Sequence, residues 1–584
     1  MNTPNGGSIL GEGLARHGVQ FLFTLCGGHI SPILVGAKAQ GIQVIDVRDE
    51  ASAVFAADAV ARMTGVPGVA AVTAGPGVTN TLTAVKNAQM AQSPVILFGG
   101  AAATVLKGRG SLQDIDQLSM LRPITKWATT VKTVSALGPT LDKAVEIATT
   151  GVPGPVFIEV PVDLLYDEAV VREWYLTESG VKGATTLAAK ALGLYLRGHL
   201  YRQFHAPHVE LPNIPVPEIT LPGRSPEARV NEVMALLRTA KKPALVVGSQ
   251  TLVNLTDAGP IADAIRTLGI PVWLGGAARG LLGRKSDIQF RHKRSKALKE
   301  ADVVVVCGFP FDFRLGYGRS ISGRAQVVSV NLDAQALKMN RRPEVPVQMH
   351  PGQFLKALAT ANGAVDVPAE WFETLRGREA ARDDEITAMA QLETPPNLIN
   401  TVAFFQRLEE KMSDDAALVV DGGDFVATGA YTLRPRAPLS WLDPGVFGTL
   451  GVGGGFATGA AAVNRDREVW IIWGDGSSAY SLAEFDTWVR HGLAPIAVIG
   501  TDASWAQIAR EQTEMLGDDV GTVLLRSDYH LVAEGYGGKG LLLTDPAKID
   551  EVLDEAKALA AAGTPVCINV HIAKSDFRKG SLSM

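Results

Sequence analysis

Short apolar runs alternate with longer stretches whose apolar residues recur at helical spacing, almost from one end of the chain to the other. The first group of runs is "FLFTL", "IQVIDV", "GVAAVTA", "PVILFGG" and "PVFIEVP". A middle group reads "PALVVGS", "IPVWLGG", "ADVVVVCG" and "AQVVSVNLD", and a last group "ALVVDGG", "EVWIIWGDG", "PIAVIGTD" and "PVCINV". Continuous rather than alternating hydrophobicity predicts strands buried on both faces, which is the pattern of parallel sheets covered by helices. The fold class expected is therefore α/β, with three doubly wound parallel-sheet domains.

Two stretches separate the groups. The first combines an apolar and basic segment, "LAAKALGLYLRGHLYRQF", with the Pro-rich "LPNIPVPEITLPGR", which reads as a linker. The apolar-basic segment suits an amphipathic helix, and packing against its own domain is expected over docking on a membrane. The second separator, "LRGREAARDDEITAMAQLE", is charged and helix-like. The expected organisation is a domain over 1–170, a linker with the amphipathic segment over 171–224, a central domain over 225–360, a connector over 361–394 and a last domain over 395–584.

With 46% hydrophobic and 20% charged residues among 584, the composition is that of a multidomain globular protein. A net charge of −5 gives no electrostatic case for nucleic acid or an anionic membrane. The three cysteines, Cys26, Cys307 and Cys567, are too far apart for a CxxC pair, so a reducing compartment is expected. Neither a signal peptide nor a membrane-length apolar run is visible, and a cytoplasmic location is expected.

Two apolar runs end in a carboxylate: "EVWIIWGDG" at Asp475 and "PIAVIGTD" at Asp502. Ligands of open parallel sheets bind beyond the carboxyl ends of the strands, so neighbouring strands would bring these acids together. Paired hard oxygen ligands suit Mg²⁺, which keeps phosphate oxygens in its shell. Gly474 and Gly476 would admit backbone N–H groups to those phosphates, with the Ser477 hydroxyl alongside. "GVGGGFATG" does not satisfy GxGxxG and follows no apolar strand, which argues against a nicotinamide enzyme.

"GDG" followed by an apolar strand ending in Asp resembles the metal-diphosphate motif of thiamine diphosphate enzymes. Many members have Asn-Asn at the second site, where this chain has Thr501-Asp502. The resemblance implies a third metal ligand at the Ser504 carbonyl. "DVRDEASAVFAADAVARMTG" resembles the pyrimidine-domain segment, implying Glu50 as the glutamate that activates the cofactor. "TAGPGVTN" resembles the turn beside the aminopyrimidine and carries Thr73, Pro76 and Asn80. "GVFGTLGVGGG" resembles the segment that bends the cofactor, with Leu450 as the wedge where acetolactate synthases usually have Met, and with Gly448 and Leu450 holding the pyrimidine edge. The three domains would then be pyrimidine-binding, central nucleotide-binding-like and diphosphate-binding.

Within that family, "FTLCGGHISPILV", "VVDGGDFVATGAY", "WLDPGVFGTLGVG", "EFDTWVRH" and "SDFRKGSLSM" are most similar to the acetolactate synthase-like group also described as 2-hydroxyacyl-CoA lyases. His29 in "CGGHISPIL" and the pair Ser504-Trp505 resemble benzaldehyde lyase-like members. A lyase must deprotonate the substrate hydroxyl, a task that suits His29 near neutrality. Gln113 matches a family glutamine near the active site. Asp424 falls where acetolactate synthases place a polar diphosphate contact. In the central domain the family holds FAD, ADP or parts of CoA, with Arg279, Arg284 and Arg314 as candidate phosphate contacts. The resemblance implies a homodimer or homotetramer, since the family's glutamate and diphosphate site lie on different subunits. The C-terminal "AKSDFRKGSLSM" is expected to close over the site. The reaction expected is cleavage of a 2-hydroxyacyl-CoA to an aldehyde and formyl-CoA. The alternatives are a carboligase making acyloins from 2-keto acids or aldehydes, and a cofactor-binding scaffold without catalysis.

Overall fold

The computed structural model describes residues 5–183, 185–207 and 225–578. The Pro-rich stretch 211–224 and the last residues of the tail, 579–584, lie outside the described residues. The chain divides into two compact units that part within the Pro-rich stretch, with Arg62–Thr64 grouping with the second.

The first unit is built on a six-stranded sheet of β1 (Phe21–Leu25), β2 (Gln43–Asp46), β3 (Gly68–Val72), β4 (Val95–Ala101), β5 (Trp127–Thr130) and β6 (Val156–Pro161), in the order β2-β1-β3-β4-β6-β5. Its inner strands β3, β4 and β6 are buried at every residue, as their unbroken apolar runs require. The amphipathic segment packs on this same unit. The helices Glu168–Glu178 and Leu187–Phe204 meet through Val171, Tyr175, Leu196 and Leu200. Buried Asp163 ties them down, accepting from the Tyr175 hydroxyl at 2.6 Å and from Gln203 Nε2 at 2.8 Å. Among the described residues no helix is long and apolar enough to cross a membrane.

The second unit carries two sheets. One is β7 (Pro243–Val247), β8 (Val272–Leu274), β9 (Val303–Cys307), β10 (Gln326–Asn331) and β11 (Val345–Gln348), in the order β11-β10-β9-β7-β8. Along β7, Leu245 and Val247 join one apolar cluster while Ala244 and Val246 join another, so helices cover both faces. The other sheet is β12 (Ala417–Asp421), β13 (Trp441–Leu442), β14 (Val469–Gly474), β15 (Ile496–Thr501), β16 (Lys539–Leu543) and β17 (Val566–His571), in the order β13-β12-β14-β15-β17-β16. Every strand pairing in the three sheets is parallel. The helix Ala369–Ala390 occupies the connector and buries Trp371, Leu375 and Ile386.

Strand order reverses between β1 and β3 in the first sheet and between β12 and β14 in the third. Such reversals open a crevice at the carboxyl ends of the strands, because the chain leaves neighbouring strands in opposite directions. The loop carrying His29 follows β1 and Thr73 follows β3. Likewise Asp421 ends β12, and Asp475 follows β14.

Candidate active site

In the third sheet, β14 and β15 are neighbours in register, with Gly474 opposite Gly500, so the loops bearing Asp475 and Asp502 leave the same edge. Asp475 is fixed by its own backbone surroundings. Gly476 N–H donates to Oδ1 at 2.8 Å and Ala503 N–H to Oδ2 at 2.9 Å. Ser504 N–H donates to Asp502 Oδ1 at 3.1 Å. Burial pushes the Asp475 carboxyl up to about 6. Burial and then the Asp475 charge push Asp502 up to about 7. Two carboxylates thus share one crowded edge, and a divalent cation there would relieve both the desolvation and the repulsion.

The remaining features of the edge fit that ion. Ser504's carbonyl accepts no hydrogen bond from the described residues, leaving it open as a ligand. Ala503 adopts a left-handed φ of 58° and is pinned on both sides, since its carbonyl accepts from Leu524 N–H at 2.9 Å. Holding a non-glycine residue there costs about 1 kcal/mol or more, a strain found where a loop must aim its ligands. The Trp505 ring lies against Gly476, where any Cβ would come within 2.5 Å of ring carbons. Only glycine fits at 476, because the Trp505 ring occupies the space a side chain would need.

Ser477 departs from expectation. Its hydroxyl is buried and donates to the Asp421 carbonyl at 2.6 Å and to Gly474 O at 3.1 Å, so it serves the backbone and not a phosphate. Asp424, which the resemblance places at a polar diphosphate contact, has a partner within the protein. It forms an ion pair with Arg510, whose Nη2 lies 3.2 Å from Oδ1. That guanidinium supplies the neutralisation a third carboxylate needs near Asp502. Asp424, Asp502, Ser504 and Arg510 line a cavity of about 540 Å³ together with Lys574 and Phe577 of the C-terminal segment. The start of the tail therefore lines this cavity. Lys579 and the residues after it fall outside the described residues.

Asp421 is a candidate site residue that motif comparison passed over. It is wholly buried and accepts from Gly451 N–H at 3.1 Å, Gly453 N–H at 2.9 Å and Trp473 Nε1 at 3.0 Å. One carboxylate thus fixes the glycine turn that follows Gly448 and Leu450, and the strand that leads to Asp475. Gly448 and Gly451 both need positive φ, 65° and 90°, while Leu450 remains half-buried. Burial pushes the Asp421 carboxyl up to about 6. Val452–Val463 is a helix with no strand leading into it, in keeping with the rejection of a dinucleotide fingerprint.

In the first unit, Glu50 opens the helix Glu50–Thr64 behind the capping residue Asp49, and is buried to 7% exposure. Its Oε2 accepts from Asn80 Nδ2 at 3.0 Å, and a Cβ on Gly77 would stand 3.6 Å from Oε1. Thr73 packs against Gly77 and Gly27, while Pro76 begins the short helix Pro76–Asn80 and is exposed. His29 Nδ1 lies 3.2 Å from Thr73 Oγ1, and its Cβ fills the space beside Gly100. Burial holds the imidazole below its usual pKa, so it is neutral and able to accept a proton at neutral pH.

Gln113 has a left-handed φ of 62° and sits against Gly75. The missed residue here is Gln117, which is buried. It accepts from Gly75 N–H at 2.9 Å and donates to Gly100 O at 3.1 Å and Glu159 Oε1 at 2.9 Å.

The central arginines are engaged within the protein. Arg279 is half-buried, donates to Ala430 O at 3.0 Å and stacks 4.7 Å over the Trp441 ring. Arg314 is held by Asp312 at 2.6 Å and Arg284 by Asp414 at 2.8 Å. The first two of these side chains are therefore structural ties and not open phosphate ligands.

Residues 4–120 match the N-terminal TPP binding domain of thiamine pyrophosphate enzymes, 230–358 the central domain and 421–570 the C-terminal TPP binding domain. The chain is 47% identical to 2-hydroxyacyl-CoA lyase 2 of Danio rerio over 586 residues, covering 99% of this chain and 93% of that protein. It is 45% identical to 2-hydroxyacyl-CoA lyase 2 of Homo sapiens, covering 99% and 92%. Identity to the acetolactate synthase large subunit IlvG of Mycobacterium tuberculosis is 31%, covering 97% and 96%.

Proposed function

The chain belongs to the thiamine pyrophosphate enzymes, and on that premise we propose that it is a Mg²⁺-dependent lyase cleaving 2-hydroxyacyl-CoA to an aldehyde and formyl-CoA, with condensation as the reverse. The observation that carries this reading is the neutral, half-buried His29 held at Thr73, at the strand-order reversal of the first sheet. Cleavage of a 2-hydroxy compound needs a base for its hydroxyl proton, whereas decarboxylating a 2-keto acid does not. The identity to 2-hydroxyacyl-CoA lyases, higher than that to acetolactate synthase, points the same way.

The geometry above supports the following roles. Asp475, Asp502 and the Ser504 carbonyl would hold Mg²⁺, with the Gly474–Gly476 turn beside the diphosphate. Asp421 sets the turn at Gly451 and Gly453, so that Gly448 and Leu450 present their backbone to the pyrimidine. Glu50, steered by Asn80, would bond the pyrimidine ring. His29 accepts the proton of the substrate hydroxyl at its ring nitrogen, with Gln113 orienting the substrate oxygen. When bound, thiamine diphosphate supplies the electron sink for the carbon–carbon bond. The assembly is a homodimer or homotetramer, and the three free cysteines suit a reducing, cytoplasmic setting.

Incubating the protein with thiamine diphosphate, Mg²⁺ and either a 2-hydroxyacyl-CoA or pyruvate should yield aldehyde and formyl-CoA from the first substrate only. Acetolactate from pyruvate as the main product would overturn the reading. His29→Ala should lower the lyase kcat by about 10²–10⁴-fold with cofactor affinity unchanged. Cleavage at the wild-type rate would remove His29 from the mechanism.

A further inference from the structure

The niche that holds His29 has two walls supplied by other strands. Thr73, just past β3, faces its Nδ1 at 3.2 Å. Gly100, in β4, is backed so closely that an added Cβ would come within 2.5 Å of His29 Cβ. One side chain, Gln117, grips both walls. Its Oε1 accepts from the N–H of Gly75, two residues beyond Thr73, at 2.9 Å, and its Nε2 donates to Gly100 O at 3.1 Å. The same Nε2 donates to Glu159 Oε1 at 2.9 Å.

That third bond decides which way the amide points. Gly100 O and Glu159 Oε1 are both acceptors, so they take the two N–H bonds and leave the amide oxygen for Gly75. Gln117 and Glu159 are each only 1% exposed, which makes a mismatched orientation costly. Glu159 is fixed through its other oxygen, which accepts from Thr130 Oγ1 at 2.6 Å and pairs with the Lys107 ammonium. Gly75 needs the anchor, because at φ 64° and ψ −111° it stands outside the helix Pro76–Asn80 and Gln117 supplies the partner for its N–H.

We propose that Gln117, oriented by Glu159, is a positioning residue that holds Thr73 and Gly100 around the His29 ring and so aims the ring at the substrate hydroxyl. With Nδ1 engaged at Thr73, Nε2 is the nitrogen left to take the proton, and a ring that turns in a loosened niche carries Nε2 off its target. The inference rests on the lyase reading for what His29 does, but the placement of the ring can be measured without turnover.

The holoenzyme is compared with Gln117→Met, which keeps the side chain's length and removes all three bonds. NMR of the imidazole reads the placement. Burial holds His29 below its usual pKa, so release of the walls should admit water and move its titration upward. An unmoved His29 titration overturns the proposal whatever reaction the protein catalyses. In cleavage of a 2-hydroxyacyl-CoA, Gln117→Met should lower kcat by about 10²-fold, the loss a misplaced group brings, with KM little changed. Added to His29→Ala it should lower kcat no further, because the two act as one unit. A multiplicative loss in that double variant overturns the proposal. A wild-type rate in His29→Ala alone overturns the lyase reading instead, and the NMR result then decides the positioning role by itself. Should Gln117→Met fail to fold, Lys107→Met, at a side chain 39% exposed, takes its place. Loosening Glu159 from that side should lower kcat several-fold while His29 is present, and an equal loss in its absence overturns the proposal.

Discussion

Mg²⁺ and protons should compete for the Asp475–Asp502 pair. An Asp502 carboxyl raised from the usual 3.8 to about 7 corresponds to a penalty on the order of 4 kcal/mol for ionising it without a metal. Both pKa values are raised, so the sign is fixed. The metal-free protein is stabilised by these groups at low pH and loses that contribution as pH rises through about 6 and about 7. Metal binding needs both groups ionised. At pH 6 roughly nine-tenths of Asp502 and half of Asp475 carry protons, against about a tenth and a hundredth at pH 8. The apparent Mg²⁺ affinity should therefore rise about 20-fold from pH 6 to pH 8, with about 1.4 protons released per metal at the lower pH. Calorimetry with thiamine diphosphate present, in two buffers of different ionisation heat, reads both quantities. Asp502→Asn provides the reference, because titration of the cofactor's own phosphate persists there while most of the protein's pH dependence is lost. Equal pH dependence in wild type and Asp502→Asn would refute the reasoning.

Glu50→Gln should still bind the cofactor but slow exchange of the C2 proton by orders of magnitude, as followed by NMR. Asp421→Asn turns an amide N–H₂ toward donors at Gly451, Gly453 and Trp473, at a cost of about 1–3 kcal/mol for a buried mismatch. It should lower the melting temperature and weaken the cofactor about tenfold, and unchanged cofactor affinity would deny Asp421 its positioning role. Deleting residues 574–584 removes Lys574 and Phe577 from the cavity beside Asp502, so KM for an acyl-CoA should rise several-fold before stability falls; an unaltered KM would leave the segment without a substrate role.

The inner strands were legible because burial on both faces demands unbroken apolar runs. The strands that escaped lie at sheet edges. β5, "WATT", is half-buried throughout, β11 alternates, β13 has two residues, and β16 exposes Leu542. A one-sided strand leaves no continuous signal. The same contrast governs the site. Asp475 and Asp502 stood out as acids terminating apolar strands. Asp421 carries the same mark at the end of "ALVVD" and could have been found by it. Arg510 could not, since its partner Asp424 lies 86 positions away in the chain and only the fold brings them together. Gln117 is similar, a polar residue whose role rests on three segments meeting around it.

The helix Asp424–Thr432 carries Asp424 in the cavity beside Asp502 and Tyr431 in a second cavity, of about 570 Å³, shared with Arg291 and Arg434. At about 1.5 Å per residue it is a rod of about 13 Å, and Tyr431 also touches Phe577 edge to face at 6.0 Å. Two ligands bearing on one stiff element are bound by reciprocity. Whatever factor a ligand in the second cavity would apply to retention of the cofactor, the cofactor would apply to that ligand. Measuring either affinity with and without the other ligand gives one number twice, and that number states how tightly the helix couples its two ends.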